Sequence, residues 1–346
     1  MDITNWIFSI EPQDYSGHNT PQATGPESWS VLRLPDTLKN EVNLDDRHRL
    51  GADLACLLSL ALDRRVIVPV DLATQGPQQQ EKIIFLPMAQ IVDQDLLGPL
   101  PVDAKQRIVT YASAIAGLSS EDQEIIGAAC TAYHGALLLF DKEPRAAYTL
   151  LVAGIEVLSR QYGSPPTEWK NWEASSNWDK LFSAQCLTVE QIKAIREQLM
   201  SDRQLRLGAT FREYGSTRPR DCFWDKPLEQ WICGIDANTG AWSPSTKALT
   251  RRIADLLPRD RTILKNSLAE SYKLRSSVVH EAKWVELMTL QPMTPQNQEG
   301  VRALSFPVLR VLLSELIWIE IVERTSPVSL PDFQLLRQLP DTGRAQ

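Results

Sequence analysis

The chain has 346 residues, with 36 lysines and arginines against 43 aspartates and glutamates, a formal charge of −7 and 43% hydrophobic residues. That length suits about two domains and the composition excludes wholesale disorder, while the acidic balance argues against coating nucleic acid through many basic contacts to phosphate. The run Leu54 to Leu62 is too short to cross a bilayer, which takes about 20 apolar residues, and the stretch from Val308 to Val322 is broken by Arg310, Glu315 and Glu320.

The first residues, MDITNWIFSIEPQD, lack the basic segment, apolar segment and small-residue cleavage site of a signal peptide, so a cytoplasmic location is expected. Trp29 to Leu34, Arg65 to Val70 and Lys82 to Leu86 are β-branched or aromatic runs bounded by turn residues and read as strands. Between the first two, a helix starting at Asn43 to Asp46 and running through Leu60 places Leu50, Leu54, Leu57, Leu58 and Ala61 on one stripe. Residues 1–102 are thus expected to form a small α/β unit that senses a trigger or binds a partner.

From residue 103 the pattern turns helical. Asp103 is placed to cap a helix ending near Gly117, Ser120 and Gln123 to form a capping box, and Pro144 to sit in the first turn of a helix that stops at Gly163. Thr188 and Gln191 open a helix to about Met200. An insertion of about 164–245 reads as long irregular connections holding Trp169, Trp172, Trp178, Trp224, Trp231 and Trp242. These tryptophans suit either a plug for the end of a helical bundle or a stacking platform for unpaired bases. Ser243 to Thr246 is expected to start a helix through Leu257, Asp260 another through about Val279, and Glu299 to Arg302 a third that reaches Val322. A proline-punctuated tail follows over 325–346. The fold class is therefore mainly α, with a smaller α/β unit in front.

Five scattered cysteines, none in a C-x-x-C pair, argue against a disulfide framework or a thiolate metal site. Asp45, Asp46 and His48 offer metal-binding atoms but read better as the acidic start of a helix, so no metal or other cofactor is expected. His134 reads as a structural mid-helix residue. Chemistry concentrates in Glu270 to Val285. Arg275 lies on the stripe shared by Leu268, Tyr272 and Val279, where a permanently charged guanidinium needs a partner or a cleft. His280 follows five residues later, about 140° round an unbroken helix. Their convergence therefore requires a helix end near Val278, a long reach by the arginine, or a second subunit. Ser276 shares a face with His280. Histidine titrates near neutrality and guanidinium holds phosphate bidentately, a pair suited to metal-free RNA cleavage. Residues 250–285 carry eight basic and four acidic side chains, a local +4 that leaves −11 for the rest. Arg251, Arg252, Lys265 and Lys273 in this stretch are the candidate RNA contacts.

The string Tyr272-Lys-Leu-Arg275-Ser276-Ser-Val-Val-His280 resembles the R-x4-6-H signature of the HEPN superfamily, in particular its ApeA-like branch. Tyr133 to Leu158 resembles that branch's preceding helix pair, and the likeness extends over roughly residues 120–323. The resemblance implies a bundle of four to five helices over 103–324 that commonly dimerises. In active members such a bundle cuts RNA without metal, leaving a 2′,3′-cyclic phosphate, as suits antiviral defence or stress response. It further implies that Arg275 stabilises the phosphate, His280 acts as general acid or base, Ser276 is a polar neighbour and Glu156 orients Arg275. The alternative is a catalytically silent HEPN module that serves as a dimerisation surface, scaffold or sensor.

Overall fold

The computed structural model describes residues 9–13, 28–33, 44–63, 65–67, 81–86, 103–140, 143–235, 242–281 and 302–325. Among these the protein is mainly helical, with ten α-helices and six strands. Strands β1 (Ser9–Gln13), β2 (Ser28–Arg33), β3 (Arg65–Ile67) and β4 (Glu81–Leu86) form an antiparallel sheet in the order β1-β2-β4-β3. Its register sets Trp29 opposite Ile84 and Val31 opposite Lys82. Helix α1 (Leu44–Leu62) connects β2 to β3. Leu54, Leu58 and Leu62 pack with Val66 of β3, whereas Cys56, Leu60 and Ala61 belong to the main core.

Helices α2 (Ala104–Ala116), α3 (Ser120–Leu139) and α4 (Pro144–Tyr162) follow. Gly117 ends α2, but the Asp103 side chain makes no capping bond. The cap of α3 is Ser119, one residue before the expected position; its hydroxyl accepts from the Asp122 amide at 3.1 Å. Gln123 instead reaches back to the carbonyls of Leu118 and Ile115, tying the end of α2 to the start of α3. Pro144 and Gly163 bound α4 as expected.

The insertion is more regular than its sequence suggests. It holds α5 (Ser175–Ala184), α6 (Val189–Ser201, opened by the Thr188 and Gln191 capping box), α7 (Leu207–Thr217) and three short 3-10 turns. The helix expected from Ser243 is a strand: β6 (Trp242–Arg252) pairs antiparallel with β5 (Pro227–Ile235), setting Pro227 opposite Arg252 and Trp231 opposite Ala248. Ser243 and Thr246 imitate a helix start, but the partner strand takes the backbone hydrogen bonds. Only one helical turn, α8 (Ile253–Leu256), follows.

Asp260 opens α9 (Arg261–Glu281), its carboxylate accepting from the Thr262 amide at 2.6 Å. The last helix, α10 (Phe306–Arg324), starts after the expected 299–302, behind Ser305 and with Pro307 in its first turn. Beyond Thr325, the tail expected over 325–346 lies outside the described residues.

Helix α10 runs through the centre of the core, with Phe306, Leu309, Leu312, Leu313, Leu316, Ile317 and Ile321 buried. Close helix crossings depend on glycines, because a β-carbon at Gly154 would meet Leu313 at 2.7 Å and one at Gly215 would meet Leu268 at 2.8 Å. Three charges on α10 are also buried. Arg310 pairs with Asp63, Glu315 with Arg220 and Lys226, and Glu320 with Arg218 and Arg324. Burial alone would raise the Glu315 carboxyl, but Lys226 and Arg220 hold it below the usual range. These pairs join the central helix to surrounding segments at defined heights.

Candidate functional site

Helix α9 packs against α7 and α4 through Leu264, Ser267, Leu268 and Ser271. Ser271 is spent on structure: its hydroxyl donates to the Ser267 carbonyl and accepts from the Leu304 amide, whose carbonyl takes a bond from the Tyr148 hydroxyl. Such bonds explain how serines sit on a buried face. The expected stripe is corrected at its end, since Val279 is 51% exposed and the last turn of α9 runs beyond the tightly packed part of the core.

Arg275 lies in line with this buried stripe. Its guanidinium faces α4 and pairs with the Glu156 carboxylate at 3.6 Å, both side chains being largely buried. That distance gives an ion pair and no hydrogen bond, and Arg275 Nε has no hydrogen-bond partner among the described residues. The guanidinium is therefore held by charge while much of its donor capacity is unused.

Tyr272, one turn earlier, tilts against Phe211 of α7 with ring centroids 5.2 Å apart. Across from it stands Gly208, where an added β-carbon would meet only the Tyr272 ring, at 3.8 Å. Burial and the nearby Glu156 carboxylate raise the Tyr272 hydroxyl's pKa, opposed by Arg275 and Arg160, so the group stays protonated. Arg160 is one helical turn beyond Glu156, exposed, with its Nη2 3.2 Å from Gln204 Oε1 just ahead of α7.

Ser276 is partly exposed, and His280 is exposed in the last turn of α9, where a positive charge is favoured by the helix dipole. The helix continues unbroken through Glu281, so the route to convergence through a helix end near Val278 does not occur. Within one chain Arg275 faces α4, while Tyr272, Ser276 and His280 succeed one another along the adjoining flank at intervals of four.

Among the described residues, most of the counted basic side chains lie on or just ahead of α9 and are paired with carboxylates. Lys265 bonds to Glu213 at 2.8 Å and Lys273 to Glu270 at 2.6 Å. Arg252 lies between Asp225 and Asp255, at 3.9 and 3.6 Å. Arg259 shares that same Asp225 just ahead of α9, which places Arg251 and Arg252 near the helix end opposite His280, about 30 Å away. Arg261 bonds to Asp221 and to the carbonyls of Ser216, Thr217 and Pro219 at the end of α7. Among the described residues, the positive charge counted along the chain is therefore interleaved in space with carboxylates, three of them from 213–225.

The tryptophans of the insertion are mostly occupied by their own surroundings. Trp172 and Trp224 are buried. Trp169 stacks on Phe182, carries Arg196 5.1 Å from its ring centre and donates its indole N–H to Asp179. These contacts tie Trp169 and Trp172 to their own insertion, and of the described tryptophans of the insertion only Trp224 joins the core of the bundle. The side chains of Trp231, Trp242 and Asp45 to His48 lie outside those described. Among the described residues, no group of three or more His, Cys, Asp or Glu is placed to hold a metal ion. Nor is any described helix long and apolar enough to cross a membrane.

Comparison of the chain with protein-family models, with curated proteins and with solved structures returns no match.

Proposed function

We propose that this chain is an endoribonuclease of HEPN type that acts without a metal ion. The observation that carries the reading is the seating of Arg275 against Glu156, with unused guanidinium donors, on the helix whose last turn presents an exposed His280. In the proposed reaction the ribose 2′-oxygen attacks the adjacent phosphorus, the bond to the 5′-oxygen breaks, and a 2′,3′-cyclic phosphate and a free 5′-hydroxyl form. Arg275 stabilises the charge that grows on the phosphoryl oxygens, and His280 either takes the 2′-OH proton or protonates the departing oxygen. Because the two side chains diverge on one unbroken helix, the working site combines them across two copies of the chain. The ApeA-like resemblance supports the reading, with a cytoplasmic role in antiviral defence or stress response and a trigger received by residues 1–102.

The test is cleavage of a mixed RNA pool in EDTA by the wild type, Arg275→Ala and His280→Ala, with light scattering at micromolar concentration for the dimer. Cleavage by the wild type, lost by at least 100-fold in either variant, is the outcome expected of transition-state charge stabilisation and general acid–base catalysis, worth roughly 10²–10⁴-fold each. Equal cleavage by all three proteins sinks the site, and a monomer at every concentration sinks the composite arrangement. A second reading, a silent HEPN module used for dimerisation or as a scaffold, draws on the carboxylates interleaved with the basic side chains of α9.

A further inference from the structure

We infer that the β5–β6 ribbon carries an association surface for a second copy of this chain, formed by Trp231, Cys233 and Ile235 with Ala248, Pro244 and Trp242 across the register. In an antiparallel pair directly opposed residues share a face, and successive residues of one strand alternate between faces. Leu228, opposite Arg251, is buried in the main core, which fixes the ribbon face that lies against the bundle at the base. On the other face Pro227 pairs with Arg252, Glu229 with Thr250, Trp231 with Ala248, Cys233 with Pro244 and Ile235 with Trp242. The irregularity between Trp231 and Cys233 leaves this division intact, because β5 advances there by two positions and β6 by four. At the base of the second face the Arg252 side chain is 59% exposed.

That face changes character along its length. Its base holds Glu229, Thr250 and Arg252, and its outer part holds six apolar residues, two of them tryptophan. Among the described elements the ribbon packs on α8 beside its base, and none packs along the outer part. A two-stranded ribbon is marginal in water on its own, so an apolar face of this length requires a cover. A second copy fits it. A twofold axis sets one patch against itself, which like charges would oppose, and the outer part carries no charged residue. The tryptophans alone bring about 300–500 Å² per copy. With the four smaller residues the patch exceeds half of the roughly 800 Å² that a standard interface takes from each partner. The polar residues at the base supply the rim that such interfaces have. The ribbon leaves the bundle beside the start of α9, at the end opposite His280, so this contact is separate from the one proposed to combine Arg275 and His280.

Sedimentation velocity of the full chain across the micromolar range tests the surface. Wild type is expected to assemble reversibly from the 39.0 kDa chain as concentration rises. Trp231→Glu sets two carboxylates into each contact and is expected to weaken an association step by roughly 100-fold, as for loss of a central aromatic anchor. Ser243→Glu adds the same charge next to Trp242 but on the opposite face, and is expected to leave assembly unchanged. Circular dichroism melts of all three, taken below the association range, should coincide. A wild type that stays monomeric at every concentration, unchanged assembly in Trp231→Glu, or equal loss in Ser243→Glu overturns the surface. Amide exchange of the wild type needs no substitution and decides the matter even if Trp231→Glu unfolds. Amides of 231–235 and 242–248 are expected to exchange more slowly as concentration rises. Full protection at the lowest concentration would show a cover supplied by the chain itself and would overturn the second copy as occupant. Neither measurement reads RNA cleavage, so failure of the nuclease reading leaves this result standing.

Discussion

His134 shows how a polar side chain is accommodated between two helices and what acid should do to it. Its Nδ1 lies 2.9 Å from the hydroxyl of Ser59, a fully buried residue of α1, and burial pushes the imidazole pKa down to about 4. The folded state therefore keeps His134 neutral over a range in which the unfolded chain, titrating near 6.5, takes up a proton. Below that range's upper end the unfolded state binds more protons, so stability must fall as pH drops from about 6.5 to about 4, by about 3 kcal/mol at most. Urea titrations of wild type and His134→Gln across this interval should converge toward acid, with the variant showing the shallower dependence. Parallel curves would mean that His134 does not govern this acid response. At the candidate site, Arg275 and His280 stood out because each breaks a local pattern, a charge on an apolar stripe and a rare residue type, but that the two diverge on one unbroken helix was not legible. The partnership of Arg275 with Glu156 was suggested by resemblance alone, since residues more than a hundred positions apart in the chain meet only through packing.

At the scale of elements, two features respond differently to substitution. Gly154 lies where α4 meets α10 and α3, with Leu313 and Ala132 crowding the space a side chain would need. Gly154→Val is expected to cost about 1–3 kcal/mol by overpacking, read as a lower urea midpoint at unchanged slope. Helix α6 behaves otherwise, because none of its residues is fully buried although its capping box is complete. Thr188→Ala should remove about 1 kcal/mol from that helix alone, accelerating amide exchange over 189–193 with little movement of the global midpoint. An equal drop in global stability would show that α6 unfolds with the core.

The same contrast explains what sequence reading could recover. Helices α4, α6 and α9 carry their own start or stop signals, in Pro144, Gly163, Thr188 and Asp260, and these signals act within one turn. Strand β6 carries misleading ones, and its conformation is decided by its pairing with β5. Ser120 likewise offered a plausible box, yet Ser119 takes the cap and leaves Gln123 free to bind α2. Local chemistry is read locally; a choice made by a partner strand or a preceding helix is not.

Over the whole molecule, the seam between α1 and the helical core is polar as well as apolar. Cys56 faces Thr131, Ser59 faces His134, and Asp63 accepts from Tyr133 of α3 and Arg310 of α10. Asp63 adopts φ 53°, a left-handed conformation that asparagine and glycine also tolerate, so Asp63→Asn keeps the backbone while removing the charge opposite the buried Arg310. A loss of about 1–3 kcal/mol is expected, because Arg310 is buried while the Asp63 carboxylate that accepts from it is partly exposed. Because Cys56, Leu60 and Ala61 share the core of α3 and α10, that loss should appear in a single unfolding transition reported alike by circular dichroism and tryptophan fluorescence. Two separated transitions would show that α1 and the helical core unfold independently.

The carboxylates that hold the basic side chains of α9 have one more consequence. An arginine that already faces Asp221 or Asp225, or a lysine that faces Glu213, has its counter-charge built into the protein. Each phosphate it met would replace a carboxylate, and few condensed cations would leave the polynucleotide as it docked. Association with RNA should then depend only weakly on added potassium chloride, with log K falling against log[salt] at a slope of about one to two. Such binding would tolerate the ionic conditions of a cell far better than that of a strongly basic nuclease, at the cost of holding RNA loosely everywhere except beside Arg275.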